Sequence, residues 1–271
     1  MRLVLECGRR VAVHRTTTRG AWFSAEERVV VFCHSDPGAG IFDPDPAVTR
    51  AWNVRLLSVD RPGYGGSQPL AHGTRATVSL AADDLAVVLD SLGVERVGVV
   101  GWSAGGRVAL ALAARRPDLV DRVVVLATQA PDAGAPSVAV PDDPHSADAL
   151  KLLGVGAADE DVLRADGVRS RLGEMLEAAF CQGVRGLATD IAASHLQPWG
   201  FEPEDVRADT LLLYGSSDRL AGPRHGHWWQ SRLPGAELEV VHGAGHLLVV
   251  PMWSRVLSHL VPDSLEELSA A

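Results

Sequence analysis

The stretch VGVVGWSAGGR, Val97 to Arg107, decides how this chain is read. It starts as an apolar, valine-rich run and then turns small, with Gly101, Gly105 and Gly106 set around Ser103 where a strand should end. Glycines carry no Cβ, so they permit a sharp turn and a close approach of helix to strand. A Gly-x-Ser-x-Gly pentapeptide in that position lifts one hydroxyl out of the C-terminal end of a sheet. The plainer alternative is a small-residue turn with a serine helix cap. The strand before it and the helical pattern Ala104–Arg115 after it favour a nucleophile.

Outward from this turn, short β-branched runs alternate with helical patterns. Leu3–Glu6 and Val11–His14 around Gly8 read as a hairpin, and Val29–Cys33, Arg55–Val59 and Val123–Leu126 as strands. Thr77–Leu92 places Leu80, Leu85, Val88, Leu89 and Leu92 at helical spacing. That rhythm predicts an α/β fold with a mostly parallel sheet covered on both faces. It breaks after Thr128. Pro131–Pro144 reads as a linker, and Leu150–His195 as helices without a strand. Strand and helix alternation resumes at Thr210–Tyr214. The expected organisation is a core over 1–130, a helical insertion over 131–200 and the rest of the core over 201–271.

A serine hydroxyl needs a base to take its proton, an acid to orient that base, and donors for the oxyanion. Among ten histidines, His246 stands out, because His242-Gly-Ala-Gly-His246 forms a flexible loop between the last strand and the last helix. His242 and His246 also have helical metal spacing, but the glycines between them argue against a helix and no third ligand is evident. His225 and His227 read as surface or packing residues. The acid expected at a strand end is Asp218, after Leu211–Tyr214, with Asp132 as its rival after the earlier strand. The backbone amide of Ala104, at the start of a helix, faces the developing negative charge.

Strand, Gly-x-Ser-x-Gly, acid, then histidine is the chain order of the α/β-hydrolase superfamily, which this sequence resembles over nearly its whole length. Three further stretches carry the resemblance. His34-Ser-Asp-Pro-Gly38 resembles the family's oxyanion loop, Asp60-Arg-Pro-Gly-Tyr-Gly-Gly-Ser67 its turn after the next strand, and Gly243-Ala-Gly-His246 its histidine loop. The resemblance implies an eight-stranded, mostly parallel sheet with a helical cap. It implies Ser103, His246 and Asp218 as nucleophile, base and acid, and the amides of Asp36 and Ala104 as oxyanion donors. His34 and Asp60 would shape loops near the site. One departure stands out: Ser35 occupies the usual glycine position and is followed by an acidic residue. The Asp36 side chain is expected to turn away and brace its own loop, since a carboxylate aimed at the site would repel an oxyanion. Trp102 and Trp199 are candidates to line an apolar substrate pocket or to pack in the core, and the place of Trp102 beside the nucleophile favours the pocket for it.

The activity expected is hydrolysis of a small carboxylic ester through an acyl-enzyme. A proline-iminopeptidase-like aminopeptidase, with Glu174 or Glu177 binding the substrate amine, is an alternative. Carbon–carbon bond hydrolysis and perhydrolysis also stay open, as does a slow-turnover ligand receptor. No cofactor and no metal are expected. The chain has 271 residues and a net charge of −9, which argues against nucleic acid and an anionic membrane surface and leaves a small-molecule substrate. Oligomeric state is not legible. The three cysteines, Cys7, Cys33 and Cys181, form no paired motif, and no apolar run reaches the roughly 18 residues of a membrane span. The cytoplasm is the expected location, and the Ala-, Gly- and Arg-rich composition suggests a bacterial source.

Overall fold

In the computed structural model, residues 1–15, 28–131 and 146–261 are described. Asp132 and most of the expected linker lie outside them. The strands are β1 Arg2–Val4, β2 Arg10–Arg15, β3 Arg28–Cys33, β4 Val54–Val59, β5 Val97–Trp102, β6 Val120–Leu126, β7 Asp209–Gly215 and β8 Glu237–Val241. They form one eight-stranded sheet in the order β1-β2-β4-β3-β5-β6-β7-β8. β1 and β2 are antiparallel to their neighbours, and every pairing from β4 to β8 is parallel. The helices are α1 Pro46–Ala51, α2 Val78–Ser91, α3 Gly105–Arg115, α4 Ala147–Leu152, α5 Glu160–Arg164, α6 Val168–Phe180, α7 Arg185–Ile191, α8 Pro223–Gln230 and α9 Trp253–Leu260.

The central strands are buried on both faces, which is why they read as continuous valine runs. Successive side chains alternate between two cores. Val97, Val99, Val123 and Val125 pack with α2, α3 and α8 on one face. Val100, Trp102, Val124 and Leu126 pack with α9 and the inserted α6 on the other. Helix starts carry local signals: Asp45 accepts from the amides of Ala47 and Val48 ahead of α1, and Thr77 from that of Leu80 in α2. Helices α4–α7 intervene between β6 and β7, the interval expected to be helical. Among the described residues, no helix is long and apolar enough to cross a membrane.

Candidate active site

β5 ends at Trp102, and Ser103 follows with φ of +56°, a left-handed conformation that a serine adopts only when its surroundings impose it. The three glycines of the turn explain how it is imposed. A Cβ on Gly101 would lie 2.4 Å from the Gly105 carbonyl oxygen, and one on Gly105 would lie 2.0 Å from that of Cys33. One on Gly106 would lie 2.0 Å from Thr128 Oγ1. That Thr128 hydroxyl donates to the Ser103 carbonyl at 2.7 Å, and the Ser103 amide donates to Leu126 at 2.9 Å. The amide of Ala104 opens α3 directly after the serine.

At the same end of the sheet, the turn after β7 and the loop after β8 are laced together. Ser216 and Ser217 donate their amides to Val241 and Ala244, and Gly243 donates to Ser216 Oγ. This lacing brings Asp218 and His246 into a buried pair, Nδ1 to Oδ2 at 2.7 Å. The other Asp218 oxygen accepts from the amides of Leu220 and Ala221 at 2.8 and 3.0 Å. Burial raises the Asp218 pKa, but the His246 charge and these hydrogen bonds outweigh it, and the net shift is downward. An ionised carboxylate only accepts, so the neutral tautomer of His246 that pairs with it has its proton on Nδ1 and its lone pair at Nε2. Nε2 is buried and has no hydrogen-bond partner. His242, by contrast, is exposed on the turn, and its loop is not helical. A cavity of about 450 Å³ opens beside the pair, lined in part by Asp159, Ser216, Asp218, Arg219 and His246.

His34 and Asp60 hold loops, as the resemblance implied. Burial and then the Arg61 charge keep the His34 ring well below its ordinary pKa, hence neutral. Its Nδ1 donates to the Ser35 carbonyl at 2.8 Å and its Nε2 accepts the Arg61 amide at 3.3 Å. Asp60 accepts from the amides of Gly40 and Gly66 and pairs with His14.

Two residues that the sequence did not single out complete this region. Arg61 donates to the carbonyls of His34 and Ser35 at 2.6 and 2.8 Å and forms a buried ion pair with Asp190 of α7. Arg61 thus braces this loop, helped by the Ser35 hydroxyl on the Pro37 carbonyl. The Asp36 carboxyl accepts a backbone hydrogen bond within its own loop and sits in the field of this buried charge cluster. Burial and the nearby Asp190 push its pKa from 3.8 up to about 6, against the pull of Arg61 and Arg107.

The sign of that shift makes a prediction. A carboxyl that holds its proton more tightly when folded stabilises the fold at low pH, and the benefit is lost as pH rises from about 4 to about 6. Asp36→Asn is therefore expected to raise Tm at pH 8 by about 2 °C or more and to change it little at pH 3.5. Thermal melts at the two pH values measure this. A variant less stable at pH 8 would show that the carboxylate braces the loop after all.

The two tryptophans that were candidates for a pocket wall occupy different places. Trp102 is fully buried, and its indole N–H donates to the His246 carbonyl at 3.0 Å. Trp199 stacks on Trp229 at 5.5 Å, lies under the Arg107 guanidinium and packs with the α2–α3–α8 core. Its position late in the insertion suggested a pocket wall, but its ring is used in packing. His225 is buried and accepts the Ala130 amide, which is a packing role. Glu174 and Glu177 are exposed on α6, on the face opposite its buried Leu172, Met175 and Leu176.

A family model described as alpha/beta hydrolase fold matches residues 28–155. The chain is 30% identical over 263 residues to a 2-hydroxy-6-oxononadienedioate/2-hydroxy-6-oxononatrienedioate hydrolase of Paraburkholderia phymatum, covering 90% of this chain and 87% of that one. It is 28% identical to a pimeloyl-[acyl-carrier protein] methyl ester esterase of Neisseria meningitidis, over 74% of this chain and 78% of that protein. The fold is shared with the enol-lactonase from Burkholderia xenovorans at a TM-score of 0.67 and 20% identity, over 95% of this chain and 97% of that one. Sheet order, strand–turn–helix at Ser103 and these relatives together define the class: the chain belongs to the α/β-hydrolase family. It is a hydrolase.

Proposed function

We propose that this hydrolase cleaves a small carboxylic ester through an acyl-enzyme, with Ser103 as nucleophile, His246 as base and Asp218 as orienting acid. The observation that carries the reading is the buried Asp218–His246 pair with an unpartnered Nε2, at the sheet end where Ser103 emerges. His246 Nε2 takes the Ser103 proton as Oγ attacks the ester carbonyl. The amides of Ala104 and Asp36 receive the charge on the carbonyl oxygen. As the tetrahedral intermediate collapses, Nε2 returns the proton to the leaving alcohol. Water then repeats the sequence on the acyl group and frees the acid and Ser103. Residues 131–200 form the cap of this reading, and 1–130 with 201–271 the core. The three cysteines are unpaired, in keeping with a reducing cytoplasm.

The relative named for a 2-hydroxy-6-oxo-dienedioate favours a second reading, in which the same residues attack a ketone carbonyl and a carbon–carbon bond breaks. The amino-peptidase reading loses ground, because Glu174 and Glu177 face outward.

A screen separates these readings. Wild type and Ser103→Ala are assayed on p-nitrophenyl butyrate, a 2-hydroxy-6-oxo-dienoate and a prolyl amide. Steady ester turnover, lost with Ser103→Ala, is expected. Turnover of the dienoate alone would transfer the assignment to carbon–carbon hydrolysis, and of the amide alone to peptidase chemistry. A burst followed by negligible turnover would indicate a receptor.

A further inference from the structure

The inserted helices reach the loop that carries His246. Asp159 lies in a single 3₁₀ turn, Ala157–Asp159, immediately before α5, and is 1% exposed. One of its oxygens accepts from the amide of Gly156, in its own turn, at 2.9 Å. The other accepts from the amide of Leu247, 88 positions away, at 2.8 Å. Leu247 N–H belongs to the peptide unit whose carbonyl is that of His246. That carbonyl accepts the Trp102 indole N–H at 3.0 Å. The peptide joining His246 to Leu247 is thus held at both ends, from the cap by Asp159 and from beside Ser103 by Trp102. Such a peptide cannot rotate, so the direction in which His246 leaves the backbone is set, while Asp218 sets the ring.

The fit around this clamp is close. A Cβ on Gly245 would lie 2.4 Å from the Asp159 carboxylate. A Cβ on Gly154 would lie 2.9 Å from the His246 ring. Both positions are glycine, so no Cβ of their own separates Gly245 from the Asp159 carboxylate or Gly154 from the His246 ring. A carboxylate buried this deeply is costly unless its oxygens are hydrogen-bonded, and both are.

We propose that Asp159 is a positioning residue for His246: it fastens the cap to the His246–Leu247 peptide and holds the imidazole where it can serve Ser103. This rests on reading His246 as the base. The fold already contains Asp218 and Trp102 as supports from the core, and Asp159 adds a support from the insertion. The placement of the base then depends on the cap being seated.

The test compares Asp159→Ala, Asp159→Asn and His246→Ala on p-nitrophenyl butyrate, with the folded fraction of each sample read from its thermal melt by circular dichroism. Turnover is expressed per folded site, so a partly unfolded sample lowers the count and not the rate. Asp159→Ala is expected to lower kcat per site on the order of 10- to 100-fold, because a displaced base costs rate out of proportion to distance, with KM within a few-fold of wild type. Asp159→Asn keeps one acceptor oxygen and is expected to recover part of that loss. Should the alanine variant not fold, Asp159→Asn with hydrogen exchange at the Leu247 amide decides. Slower turnover together with faster exchange supports the clamp. Wild-type turnover per site in Asp159→Ala, or unchanged turnover and exchange in Asp159→Asn, overturns it. His246→Ala separates the two levels. If it keeps wild-type turnover, the base assignment falls and the clamp with it. If it is inactive while Asp159→Ala is not impaired, only the clamp falls.

Discussion

Ser103→Ala is expected to abolish covalent labelling by a fluorophosphonate and to lower kcat on the order of 10⁵- to 10⁶-fold, the scale on which a serine hydrolase loses its nucleophile. The hydroxyl is the only group removed. The backbone turn is held by other atoms: the Ser103 amide on Leu126, the Thr128 hydroxyl on the Ser103 carbonyl, and the glycines that let α3 approach β3 and β5. Alanine at φ of +56° is strained as serine is, so Tm should change by no more than a few degrees. Mass spectrometry of the labelled protein is the measurement. Label retained in the variant, on any residue, would mean that another side chain is the nucleophile.

Asp218→Asn is expected to lower kcat about 10⁴-fold while leaving the fold intact. The geometry says why an uncharged isostere fails. One oxygen of Asp218 is claimed by two backbone N–H groups, Leu220 and Ala221. In asparagine the amide oxygen must take that place, because an NH₂ there would oppose two donors. The NH₂ then faces His246 Nδ1, which must accept, and the ring proton moves to Nε2. Nε2 would carry a proton where the reaction needs a lone pair. The rival acid, Asp132, lies outside the described residues, and Asp132→Asn is expected to change kcat less than threefold. Steady-state kinetics on one ester compare the two variants. A large loss with Asp132→Asn and a small one with Asp218→Asn would reverse the assignment of the acid.

Part of this site is written locally in the chain. The sharp turn at Ser103 depends on glycines within three residues of it, and Val97–Val100 and Gly105–Arg115 announce the strand and helix on either side. His246 and Asp218 each follow a short apolar run that forms a parallel strand, and parallel strands deliver their C-terminal ends to one side of a sheet. Strand order plus glycine placement therefore made Ser103, His246 and Asp218 legible as candidates.

Other features became visible only in three dimensions. Arg61 and Asp190 are 129 positions apart, and Asp159 and Leu247 are 88 apart. Neither pair has a local pattern, because each joins the insertion to the core, and the path of the insertion across the sheet depends on packing along its whole length. Asp159 and Asp190 look like ordinary surface acids in the sequence. Burial makes them informative, since a buried carboxylate must find donors and the available donors lie on loops around the site. Trp199 shows the reverse case. Nearness to the insertion suggested a pocket wall, yet Trp229 and Arg107 offered its ring a better surface. The local sequence determined the turn that presents Ser103 and the strand ends that carry Asp218 and His246. The tertiary structure decided what braces the His34–Gly38 loop and the His246 loop, because those partners meet only when the insertion closes on the sheet.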